Sequence, residues 1–167
     1  MAIPRFKNEP LTDFANPKNR KAQLAAIEKV RAEAGKQYPL IIGGEEVTAQ
    51  EQFNSYNPSK PSEVVGVFQK GTAEHANKAM EVALATFEEW KNVPYKKRAD
   101  YLFKAAKIMR KRRFELNATE ILEVGKTWPE ADADVAEAID FLEFYAREML
   151  RYGHDQPVVK IPGEKDK

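Results

Sequence analysis

Between Thr72 and Tyr152 the chain carries glycine or proline only at Pro94, Gly125 and Pro129, while apolar residues recur every three or four positions. A stretch with that period folds as amphipathic helices, and a helix striped on one side has to bury the stripe against another element. Thr72 is an N-cap, and Ala76, Ala79, Met80, Ala83, Phe87 and Trp90 stripe a first helix that ends before Pro94. Leu102, Ala105, Ala106 and Met109 stripe the next, but Arg112 and Arg113 fall where the pattern should continue. The stripe restarts out of phase at Phe114, Ala118, Ile121 and Leu122 and stops at Gly125, so the expectation is two helices with a bend near residue 112. Thr127 followed by Glu130 is a capping box that opens a last helix. Val135, Ala138, Ile139, Leu142, Tyr145, Ala146 and Met149 lie on one side of it, with Asp140, Glu143 and Arg147 on an opposite, solvent side.

Ahead of the helices the chain reads differently. Residues 1–16 contain Pro4 and Pro10 and no sustained period, which predicts an extended arm lying on other elements. Asn16 and Pro17 are an N-cap and first-turn pair, Leu24, Ile27 and Val30 have helical spacing, and Gly35 closes that helix. Residues 38–48, 52–57 and 63–69 are three short strand candidates, the first turning at Gly43-Gly44 in a hairpin or small meander. The expected class is α/β, helix-rich with a small antiparallel β part. The final stretch from Gly153 predicts a turn, one strand and a charged end.

Composition excludes more than it proposes. The chain has 167 residues, 27 Lys plus Arg against 26 Asp plus Glu, and a net charge of +1, so no field argues for nucleic acid or an anionic membrane. No apolar run approaches a membrane span and no secretory leader opens the sequence, from which a cytoplasmic location is expected. The absence of cysteine removes disulfides, thiolate metal sites and thiol nucleophiles together. His75 and His154 lie far apart with no neighbouring ligand, so no metal site is expected. Residues 96–114 carry nine basic side chains and a single acid, but without a nucleic-acid motif they read as a solvated helix face.

Catalytic motifs are scarce as well. Neither a glycine-rich phosphate loop nor a Gly-x-Ser-x-Gly elbow occurs. Glu130, Asp132 and Asp134 crowd the first turns of the last helix, where acids ordinarily complement the helix dipole. Glu137 lies beyond those turns, in line with Phe141 and Phe144 on the flank of the apolar arc. A carboxylate there is costly unless a cation meets it. The bland alternative is a half-exposed Glu resting its methylenes on Phe141.

The order F-x-NEP-x-x-DF, then YPLIIGGE, NPSKPSEVVG, FEEW, RADYLFKAAKIMRKRRFELNA and EVGKTWPEADADVAEAIDFLEFYAREM resembles the N-terminal part of an aldehyde dehydrogenase. More narrowly it is similar to the 1-pyrroline-5-carboxylate dehydrogenases, which oxidise L-glutamate γ-semialdehyde to glutamate with NAD in proline catabolism. The likeness covers essentially the whole chain. It implies an arm at 1–16, part of the NAD-binding domain at 17–152 and the start of an oligomerisation hairpin at 153–167. It also implies that Glu137, matching the glutamate of VAEAIDF in that branch, faces the aldehyde tunnel beside Phe141. The family's nucleophilic cysteine, water-activating glutamate, glycine-rich turn near NAD and carboxylate-gripping loop all match positions beyond residue 167.

Two readings follow. The chain is the N-terminal segment of such an enzyme, not catalytic and not binding NAD on its own, with self-association or the C-terminal part of the enzyme as its partner. Alternatively it is a free-standing interaction protein or complementing fragment.

Overall fold

The computed structural model describes residues 3–154 and 162–163; the strand and hairpin expected after Gly153 lie outside the described residues. Four helices and five short strands follow in the order α1 (Pro17–Ala32), β1 (Lys36–Tyr38), β2 (Leu40–Ile42), β3 (Glu45–Val47), β4 (Gln52–Tyr56), β5 (Val64–Gln69), α2 (Ala73–Trp90), α3 (Tyr95–Val124) and α4 (Trp128–Tyr152).

The helix ends are built by the residues whose chemistry suits them. Asn16 accepts from the Lys18 N–H at 2.9 Å, and Thr127 donates its hydroxyl to Glu130 at 2.7 Å while its backbone N–H reaches the same carboxylate. At α2 the partner of Thr72 is His75, whose Nδ1 accepts the Thr72 N–H at 3.1 Å. That histidine thus does the work a Glu or Gln does in the usual capping box. The C-cap of α1 is Glu33, and Gly35 follows two residues later with φ +75°. At Gly125, φ is also +75° and an added Cβ would meet Pro58 at 2.9 Å, so conformation and space both require glycine where α3 stops.

The expected bend in α3 is absent: residues 95–124 form one helix of 30 residues. The apolar stripe changes phase because the cover changes. Ala106 packs with Val135 and Ile139 of α4, whereas Ala118 and Leu122 pack with Ile27 of α1, together with Val65 of β5. Between these two contacts Arg112 faces solvent and Arg113 turns inward to an acid on α4. α3 and α4 are joined by residues 125–127 alone and run antiparallel, with Tyr95 at the start of one touching His154 beyond the end of the other.

The β part comprises more strands than the three expected. The Gly43-Gly44 turn, both residues with positive φ, closes the β2–β3 hairpin, and β4 pairs antiparallel with β5. β1 adds a parallel strand on the other edge of β5, matching Lys36 to Gly66 and Tyr38 to Phe68. β1 escapes sequence reading because Lys-Gln-Tyr is exposed throughout and has no alternation. α2 buries no residue; Met80 and Phe87 of its apolar row, and Leu84 beside it, face outward, while Trp90 at its end is partly covered by Tyr101 of α3. No helix among the described residues is long and apolar enough to cross a membrane.

Candidate functional site

The arm decides the geometry around α4. Residues 3–12 have no regular structure, yet they lie along α3 and α4 through specific bonds. The Thr12 N–H and hydroxyl both donate to Asp132 at 2.7 Å, the Glu9 N–H and the Asn8 amide donate to Asp140, and Arg147 Nε donates to the Pro4 carbonyl at 3.1 Å. Arg110 bridges Glu9 to Glu143, and Arg147 pairs with Glu143 as well. Two expectations are corrected here. Asp140, Glu143 and Arg147 do not form a solvent side, because the arm covers it. Asp132 is not a dipole acid: it is 1% exposed and takes a two-pronged bond from Arg113 at 2.6 and 2.7 Å, plus one from Asn117. Asn117 bonds Gln23 in turn, which ties α1 to the same buried group.

Burial by itself would raise the Asp132 pKa, but the bonds from Arg113, Thr12 and Asn117 outweigh it and hold the carboxyl below its ordinary value. Glu143 is depressed in the same way, burial opposing Arg147 and Arg110. A carboxyl depressed in the folded state contributes stability above its unfolded pKa, roughly 4, and that contribution disappears as pH falls through the folded value. The arm is therefore expected to detach below about pH 4. Trp128, whose ring meets Phe14 at 5.5 Å, reports this directly. In a Trp90→Phe background its fluorescence should change below pH 4 and stay constant between pH 5 and 8; a flat signal down to pH 2 would show that these carboxylates do not hold the arm.

Glu130 bonds Thr127, Asp134 pairs with Lys126 and Glu148 with Arg151, so the acids of α4 are engaged nearly throughout. Glu137 differs. It is exposed, and among the described residues it is the one acid of α4 without a hydrogen-bond or ion-pair partner. The cation that its position calls for is not supplied by a neighbouring side chain among the described residues.

Phe141 follows one turn on and is 51% exposed. Tyr145, expected on the buried arc, is instead 56% exposed and stacks on Phe141 at 6.0 Å between centroids. Phe144 meets Tyr145 edge-on at 5.4 Å. Glu137, Phe141 and Tyr145 thus form a row at four-residue spacing, a signal available in the sequence once Tyr145 is counted by its distance from Phe141. The row presents an open carboxylate beside a wall of aromatic faces. That combination suits a ligand with an ammonium group and a short carbon chain.

A dinucleotide finds less here. The positive-φ glycines sit in turns and at helix ends, and the β5–α2 connection contains only Gly71. Among the described residues no glycine-rich strand-to-helix turn exists to approach a pyrophosphate, and no group of three or more His, Cys, Asp or Glu could hold a metal ion.

A sequence model described as the aldehyde dehydrogenase family matches residues 46–166. A 1-pyrroline-5-carboxylate dehydrogenase of Geobacillus sp. (strain WCH70) is 51% identical over 162 residues, covering 97% of this chain and 32% of that protein. The solved structure of 1-pyrroline-5-carboxylate dehydrogenase from Thermus with bound NAD is 49% identical over 98% of this chain and 32% of its own, with a TM-score of 0.93. Proline utilization A from Bdellovibrio bacteriovorus, solved after inactivation by N-propargylglycine, is 41% identical over 96% of this chain and 17% of its own, also at 0.93. The chain spans about a third of the length of the curated relatives it matches.

Proposed function

The chain belongs to the aldehyde dehydrogenase family, and we propose that it is the N-terminal segment of an NAD-dependent 1-pyrroline-5-carboxylate dehydrogenase, acting on L-glutamate γ-semialdehyde. In this reading residues 1–16 are an arm, 17–152 belong to the NAD-binding domain and 153–167 begin an oligomerisation hairpin. The nucleophile and the NAD site belong to other parts of the enzyme, since these residues include no cysteine and no dinucleotide turn. The exposed apolar row on α2 gives the rest of such an enzyme, or a second copy, a surface to cover.

The observation that carries the reading is the carboxylate of Glu137, unpartnered among the described residues, at the head of an exposed aromatic row. Glutamate semialdehyde bears an α-ammonium at the end remote from the aldehyde. Glu137 is the acceptor for that ammonium, directly or through water, and Phe141 lies along the carbon chain. The segment contributes recognition and orientation, and the bond-making groups come from outside it.

Glu137→Gln in a full-length enzyme carrying this segment keeps the size and removes the charge. Catalytic efficiency with glutamate semialdehyde should fall about 5- to 150-fold, the equivalent of about 1–3 kcal/mol for one charged hydrogen bond. A simple aldehyde of similar length without the amino group should lose much less. Glu81→Gln, on the exposed surface of α2, is the control and should change neither. Equal losses on both aldehydes would indicate a packing defect, and no loss on either would remove Glu137 from the site.

A further inference from the structure

Resting on that reading of Glu137, we propose that Phe6 of the arm is a positioning residue that orders the aromatic row beside it and thereby sets the affinity for the aldehyde's carbon chain. The contacts form a relay. The Phe6 ring meets Phe144 edge-on at 5.6 Å and 78°, Phe144 meets Tyr145 edge-on at 5.4 Å and 81°, and Tyr145 stacks on Phe141 at 6.0 Å and 15°. All three separations fall in the range where aromatic pairs attract beyond simple burial.

The three rings on α4 need such a restraint. Phe141, Phe144 and Tyr145 are each more than two-fifths exposed, so little of the helix's own packing selects among their rotamers. Phe6 is held more firmly. The Arg147 guanidinium lies 6.0 Å from its ring and 5.3 Å from that of Phe103, bonds the Pro4 carbonyl and pairs with Glu143. A fixed ring thus limits Phe144, which limits Tyr145, which stacks on Phe141. A wall ordered before the ligand arrives does not lose rotamer freedom when it binds.

Two readouts test this. In the 167-residue chain, ring-to-ring nuclear Overhauser cross-peaks between Tyr145 and Phe141 should weaken in Phe6→Ala and in Phe6→Leu, which keeps apolar bulk and lacks the ring edge. Phe6→Tyr should restore them, and Lys7→Ala should leave them intact. Unchanged cross-peaks in Phe6→Leu with native helical content would overturn the proposal. In the full-length enzyme, Phe6→Leu should raise KM for glutamate semialdehyde about 2- to 12-fold, the value of one aromatic pair, with kcat and the KM for NAD unchanged. If Glu137→Gln impairs the enzyme while Phe6→Leu leaves KM unchanged, the relay is refuted and the substrate reading stands. If neither substitution has an effect, the substrate reading itself fails and the proposal goes with it.

Discussion

Replacing Asp132 with alanine is expected to destabilise the chain by about 3–5 kcal/mol, the usual result of removing one partner from a buried ion pair. Arg113, 11% exposed at its side chain, would keep its charge without the two-pronged acceptor. Asn117 and both donors of Thr12 would lose a partner at the same moment. For a chain of this size that corresponds to a fall of about 6–20 °C in Tm. The double variant Asp132→Ala with Arg113→Met should be less damaging than the sum of the two single changes, because it removes a buried charge left with only the longer contact to Glu9 at 3.7 Å. Strict additivity in thermal melts would mean that the two side chains do not act as a unit.

A second large effect is expected at Ile139, which is 0% exposed and lies between Ala106 and Val135 with Met109, Leu116 and Leu142 around it. Ile139→Ala should cost about 2–5 kcal/mol from lost burial and the cavity left behind. Met80→Ala, on the outward row of α2 and 61% exposed, should change stability by less than about 0.5 kcal/mol in the same chain. Urea unfolding of both variants compares them directly. Comparable losses would show that α2 is covered in solution by a surface other than the described residues.

Those two residues also mark the limit of what apolar spacing reveals. Ile139 and Met80 sit on equally regular stripes, and periodicity correctly places both on helices. Whether a stripe is buried is a tertiary fact: among the described residues α2 meets others only at its margins, through Val82 beside Gly43 and Trp90 against Tyr101, and Met80 stays uncovered. The same limit explains α3. A jump in stripe phase reads as a bend when one partner is assumed, but α4 and α1 cover the helix on different sides. Helix ends are more legible because their chemistry is local: Thr127 and Glu130 are three residues apart and meet as expected. Asp132 is the contrary case. Its neighbours in sequence suggest a dipole acid, while the groups that engage it come from residues 12, 113 and 117. For the candidate site, the face bearing Glu137 and Phe141 is legible from helical spacing, whereas the exposure of Tyr145 and the arrival of Phe6 depend on how the arm crosses α4.

The path of the arm has a consequence for the order of events during synthesis. Thr12 must find Asp132, 120 residues later in the chain, and Asn8 must find Asp140, 132 residues later. At a translation rate of about 5–20 residues per second, the receptor for Thr12 is made about 6–24 s after Thr12 itself. Pairing at such separations also follows, rather than nucleates, the local contacts of a helical hairpin. The arm is thus made well before its receptor, and until α4 exists Phe6 and Phe14 lack the rings of Phe144 and Trp128 that they meet in the folded chain. A chaperone that recognises short apolar segments has its natural opportunity there, and the newly made α3–α4 pair ends it.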